Sequence, residues 1–184
     1  MGSSEPPLVD VQISSAAPGI PGDIEISEWV CRALAGAEAG GCLEVSVRVV
    51  DQTEMRQLNR KFRQQDKATN VLSFPAELPT SYNPVPGTED PAPDAEKSAT
   101  SYGPVPGTGC YGLLGDIVVC APVLCEEAQT QGKRLADHWA HMLVHGTLHL
   151  LGYDHIEAPD AAAMESLETR ILAEYGIGDP YWMD

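Results

Sequence analysis

The stretch HGTLHLLGYDH, residues 145–155, constrains this chain more than any other. His145 and His149 stand four apart in a run, Leu135 to Leu151, in which Trp139, Met142, Leu143, Leu148 and Leu150 recur at helical spacing. On a helix, positions i and i+4 leave the same face one turn apart. Gly152 supplies the residue that stops such a helix, and three residues later the chain returns with His155. The fold must therefore hold a long helix whose last turn presents two imidazoles, and a loop that brings back a third.

Three neutral imidazoles leave one position of a tetrahedral zinc open, which is the catalytic arrangement and not the closed structural one. The expected ligands are His145, His149 and His155, around one zinc ion. Nickel, cobalt and copper also suit imidazole, so the ligands alone do not select the metal. The spacing is that of the long zinc-protease signature H-E-x-x-H-x-x-G-x-x-H, with Gly146 in place of the glutamate. That glutamate is the protease's general base, so its loss counts against peptide hydrolysis. Two readings of Gly146 stand. It opens space beside the metal and removes a charge that would repel an anionic substrate. Alternatively it only permits close helix packing, at about 1 kcal/mol of helix propensity. His141, one turn before His145, reads as a packed polar residue or a partner to a ligand, not as a ligand.

The formal net charge of −16 argues at first against nucleic acid. The distribution says otherwise. Of 11 Lys and Arg, five fall between positions 56 and 67, opposed there only by Asp66. Arg56, Arg60 and Arg63 are spaced to form one stripe on a helix. Arginine holds a phosphate with two parallel hydrogen bonds, and a phosphoryl transition state needs positive charge on its oxygens. The stripe is either a substrate contact or an ordinary solvated face. The island is too small for tight duplex binding, which draws on many phosphate contacts, but it suits a short single strand.

Around these features the elements alternate. Strands are expected over 8–15, 43–50, 70–75 and 115–122, and helices over 26–37, 51–63, 123–132, 135–151 and 159–176. Asp51 is placed to cap the second helix, with Glu54 completing a capping box, and Gly40-Gly41 to stop the first. The order predicts an α+β domain: one mixed sheet of about four strands packed with helices, and a zincin-like site of three histidines on the long helix. Residues 1–184 read as a single domain interrupted at 76–109 by an insertion. That insertion holds seven of the 15 prolines and a near-repeat, TSYNPVPGT and TSYGPVPGT. It is expected to be a flexible linker. Five cysteines with no C-x-x-C pair suggest neither a disulfide framework nor a cysteine zinc site. No apolar run reaches membrane-span length, and MGSSEPPLVD lacks the features of a secretory signal. A cytoplasmic, soluble protein is expected.

With those residues in view, the chain resembles the YbeY family of bacterial rRNA-maturation endoribonucleases. The likeness rests on HGTLHLLGYDH (145–155), HWAHMLV (138–144), LNRKFRQQDKATNVLSFP (58–75) and LLGDIVVC (113–120), in family order. It spans nearly everything except the extreme N-terminus and 76–109. The resemblance implies a metal-dependent endoribonuclease, specific for single strands, acting on the 3′ end of small-subunit rRNA and in ribosome quality control. It implies the ribosomal small subunit and its assembly factors as partners. By position it makes His145, His149 and His155 the zinc ligands. Arg63 becomes the catalytic or phosphate-binding cation; Arg56 and Arg60 are candidate substrate contacts from the helix stripe alone. Ala68 departs from a position where the family often has proline. A metallopeptidase, or a non-catalytic assembly factor with a structural zinc, are the competing readings. Asp154 and Glu157 are nearby acids able to move protons.

Overall fold

Leu43, Val45, Val47 and Val49 alternate with Glu44, Ser46 and Arg48, and the alternation builds strand β2 (Leu43–Val50) with its apolar face fully covered. The structure is a computed structural model that describes residues 6–39, 43–76, 112–155 and 158–182. Strand β1 (Leu8–Ile13) and β4 (Gly112–Cys120) flank β2 in parallel, and β3 (Val71–Pro75) runs antiparallel along the far edge of β4. The sheet order is β1-β2-β4-β3, the mixed four-stranded sheet expected. Between Glu44 and Val45 the register with β4 shifts, so that Leu113 faces Glu44 and Gly115 faces Val45. Gly115 has φ +145°, and a Cβ there would lie 2.3 Å from the carbonyl oxygen of Phe74, so only glycine fits this kink.

Helices α1 (Asp23–Gly36), α3 (Ala121–Thr130), α4 (Leu135–Leu150) and α5 (Ala158–Ala173) contribute to the main core, which lies on one side of the sheet. Helix α2 (Gln52–Arg63) packs on the other side, over Val50, Leu72, Val118 and Cys120 through Met55. Helix α4 is central, with eleven of its sixteen residues buried. None of the described helices is long and apolar enough to cross a membrane.

Several boundaries differ from expectation. Helix α1 starts at Asp23, one turn before Ile26, with Asp23 and Glu25 favourably placed at the positive end of the helix dipole. It ends at Gly36, before Gly40-Gly41, which lie outside the described residues. Strand β4 ends at Cys120 because Pro122 falls in the first turn of α3, where its missing N–H costs nothing. Asp51 does occupy the N-cap of α2, but no capping box forms. Its carboxylate accepts from the Ser15 hydroxyl instead, and Glu54 pairs with Arg48 at 2.9 Å. Both partners come from other strands or loops. Nearly all of the expected insertion, from residue 77 on, lies outside the described residues.

Candidate metal centre and groove

Helix α4 reaches the edge of the sheet at its C-terminal end. Leu151 caps it, and Gly152, with φ +90°, turns the chain. His145, His149 and His155 converge there, each offering a nitrogen within 4.8 Å of the others'. His145 and His149 are half-buried, and His155 is exposed.

The hydrogen bonds decide how the rings are protonated. His145 Nδ1 lies 2.8 Å from Glu168 Oε1, and His149 Nδ1 lies 2.9 Å from the carbonyl oxygen of Tyr153. Both partners are acceptors, a carboxylate and a carbonyl, so each Nδ1 carries the hydrogen and donates. In the neutral imidazoles the lone pairs are then on Nε2. Those two Nε2 atoms face each other at 3.1 Å. Two lone pairs at that distance repel unless a cation lies between or beside them. Tetrahedral zinc with its usual bonds to imidazole separates its ligand nitrogens by roughly 3.3 Å. The donor set, its spacing and the fixed tautomers therefore fit a divalent metal of the zinc type. His149 itself resists protonation: burial first, then the neighbouring His145 and His155, push it down to about 4.

Glu168 on α5 is the residue that sequence reasoning missed. It is fully buried, 0% exposed, and receives hydrogen bonds from His145 Nδ1, from His141 Nε2 at 3.2 Å, and from the Tyr181 hydroxyl. Burial works to raise its carboxyl. The bonds from His141, His145 and Tyr181 overcome burial and hold it down to about 2. His141, His145 and Glu168 also lie close enough together to be read as a second metal cluster. The Glu168 oxygens are already occupied by three donors and enclosed, so this group is the support of the first. The signal for it was present: Met164, Glu168, Ile171 and Leu172 form the buried stripe of α5, with an acid at its centre.

The three histidines form one wall of an open groove of about 670 Å³. Arg63, the last residue of α2, lines the opposite side with Asn59, Gln65 and Thr69, and the edge strand β3 runs between. Among the described residues Arg63 enters no ion pair. Asn70 also lines the groove, its amide nitrogen 3.3 Å from both oxygens of Glu127, which in turn bonds His138 at 2.8 Å. Asp154 is in the groove and accepts from the His155 amide. Glu157 lies outside the described residues. The arginine stripe divides. Arg56 and Arg60 do not line the groove. Arg56 gives Nε and an Nη to the two oxygens of Asp66, at 2.9 and 2.8 Å. Together with Asn59, whose amide donates to the Lys67 carbonyl at 2.7 Å, it ties down the loop after α2.

Gly146 resolves in favour of packing. A Cβ there would lie 3.0 Å from Ile117 Cγ2 and 3.3 Å from Ser73 Oγ and Val71 Cγ2. The glycine faces β3 and β4, and its carbonyl accepts from Ser73 Oγ at 2.9 Å. The open space of the first reading is not found at this position. Any side chain there would need Ile117, Ser73 and Val71 to give by a few tenths of an ångström.

Fold and site together define an α+β domain with a triple-imidazole centre, two from helix α4 and one from the chain that follows it, beside an arginine-lined groove. The family model described as Endoribonuclease YbeY matches residues 22–176. A relative from Alkalilimnicola ehrlichii called Endoribonuclease YbeY is 44% identical over 184 residues, covering 98% of this chain and 96% of its own. Another of that name, from Cellvibrio japonicus, is 46% identical over 173 residues, covering 94% and 82%. The solution structure of TM1509 from Thermotoga maritima aligns with a TM-score of 0.49 at 20% identity, over 95% of this chain and 99% of that one. The chain belongs to the YbeY family.

Proposed function

We propose that this protein is an endoribonuclease that cuts single-stranded RNA with one zinc ion held by His145, His149 and His155. Its substrate in this reading is small-subunit rRNA, trimmed at the 3′ end in the cytoplasm, with ribosome quality control as the wider setting. Residues 1–184 act as one domain and 76–109 as an insertion into it. The observation that carries the metal is the pair of Nε2 lone pairs facing each other at 3.1 Å, with both Nδ1 atoms committed to acceptors. The family name carried by the relatives supports the RNA chemistry. Zinc in that position supplies a Lewis acid in a groove open to water.

The chain's own residues do the rest. Arg63 faces the histidines across β3 and takes two oxygens of one phosphate, where charge develops as the bond breaks. Asn70, held by Glu127, presents its side chain to the strand. Asp154 offers the nearest carboxylate for a proton. The test compares unmutated, Arg63→Ala and His149→Ala proteins on single-stranded and duplex RNA, with metal content measured alongside. Arg63→Ala should lower kcat by about 10²–10³ with metal retained, the range for losing one transition-state donor. His149→Ala should lose both metal and cleavage. Equal cleavage by all three proteins sinks the proposal.

A further inference from the structure

Phe62 stands on α2 between Lys61 and Arg63 and leaves 51% of its surface exposed. Its ring meets Phe74 edge-on, with centroids 4.9 Å apart and planes at 64°. The Lys61 ammonium lies 4.9 Å from the ring centre. Both rings have chain neighbours in the groove. Arg63 lines it, and Phe74 sits between Ser73 and Pro75, which line it too. Successive strand residues project to opposite faces. Ser73 therefore meets α4, while Phe74 packs against the cluster beneath α2. The aromatic pair lies on the α2 side of β3, outside the groove's lining but adjoining it through Arg63, Ser73 and Pro75.

A lone exposed apolar side chain needs no explanation, and Leu8, Ile13 and Ile24 are exposed as well. Phe62 differs in its company. Arg60, Lys61 and Arg63 belong to the basic island of a chain whose net charge is −16. A braced, half-exposed ring among cations that enter no ion pair among the described residues combines the two parts of a single-strand site, a stacking surface and backbone contacts. Duplex RNA hides its base faces in the stack, so a ring of this kind grips only unpaired bases.

We infer that Phe62, braced by Phe74, is a stacking platform for one unpaired base of the RNA strand, with Arg60 and Lys61 on the flanking phosphates. The inference rests on the endoribonuclease reading above and locates a source for its single-strand preference. Lys61 leaves the ring face when the base arrives and pairs with a phosphate.

The test uses the zinc-loaded full chain and a short single-stranded RNA in which 2-aminopurine is walked through the sequence. Emission is read on rapid mixing, ahead of cleavage, and KM and kcat are measured on the same RNA. One position should be quenched in the unmutated protein. Phe62→Ala should lose that quench and raise KM roughly tenfold, within the range for losing one aromatic stack, with kcat within about twofold. Phe62→Leu should fail as Phe62→Ala does, and Phe62→Trp should keep both quench and KM. The tryptophan and leucine variants decide the matter if the alanine variant does not fold. Unchanged KM and quench in Phe62→Ala and Phe62→Leu, with cleavage intact, overturn the platform and leave the nuclease standing. An unmutated protein that neither binds nor cuts the RNA overturns both.

Discussion

Replacing Glu168 by glutamine should loosen the metal without unfolding the protein. The carboxylate is buried and accepts from three donors: His145, His141 and Tyr181. Glutamine keeps one acceptor oxygen and puts an NH₂ group where the other stood, so one histidine nitrogen loses its partner. If His145 loses it, its tautomer is no longer fixed and Nε2 is no longer held as the lone-pair atom. Outer partners of this kind are worth about 10- to 100-fold in metal affinity. At about 1.4 kcal/mol per decade, that is roughly 1.4–2.7 kcal/mol. Glu168→Ala should do more harm, since it strips three buried donors of their acceptor at about 1–3 kcal/mol each. It would confuse metal loss with unfolding, which makes glutamine the cleaner probe. Zinc affinity is measured by competition with a chromophoric chelator at neutral pH, where a carboxyl held down to about 2 stays ionised. The metal-free melting temperature is taken in parallel. Glutamine binding zinc as tightly as glutamate would refute the orienting role. A lowered melting temperature with unchanged affinity would reduce Glu168 to a structural residue.

Acid should destabilise the metal-free protein through His149. Its folded value of about 4 lies below the ordinary 6.5, so the unfolded chain binds the proton more readily. Stability should fall as pH drops from 6.5 through 4, and His149→Gln should flatten that slope in melts recorded with chelator. An unchanged slope would remove His149 as the cause. Added zinc, which needs neutral imidazoles, should move the onset to lower pH. Gly146→Ala should lose up to about 2 kcal/mol in denaturant titration. Overpacking against Ile117, Ser73 and Val71 at about 1–3 kcal/mol outweighs about 1 kcal/mol of helix propensity. A gain in stability would mean that α4 has slack against the sheet.

What could be read from the sequence was local. The three histidines fall within eleven residues, and helical geometry alone brings two together, so the cluster followed from spacing. The mixed sheet followed from alternation in Leu43–Val50 and from the apolar runs around it. What escaped came from contacts between distant segments. Glu168 meets His145 across 23 positions, and Asn70 meets Glu127 across 57. Arg56 looked like the start of a phosphate stripe because its partner Asp66 lies on the loop beyond the helix. The capping box was outcompeted by Ser15 and Arg48, which no local pattern announces. Gly146 had two readings on paper because only the sheet beneath it, Ile117 and Val71, tells which way the missing side chain would point.

The packing at Gly146 bears on how such a chain can change over evolutionary time. Its histidine spacing is shared with the zinc proteases, and a single codon separates glycine from glutamate at the position that distinguishes them. That short distance in sequence is a long one in structure. A Cβ at 146 would press on residues of two strands, at 3.0 Å from Ile117 and 3.3 Å from Ser73 and Val71, so both strands would have to give by a few tenths of an ångström. Any side chain at 146 therefore meets a packing cost between the central helix and the sheet before it can alter the chemistry of the site.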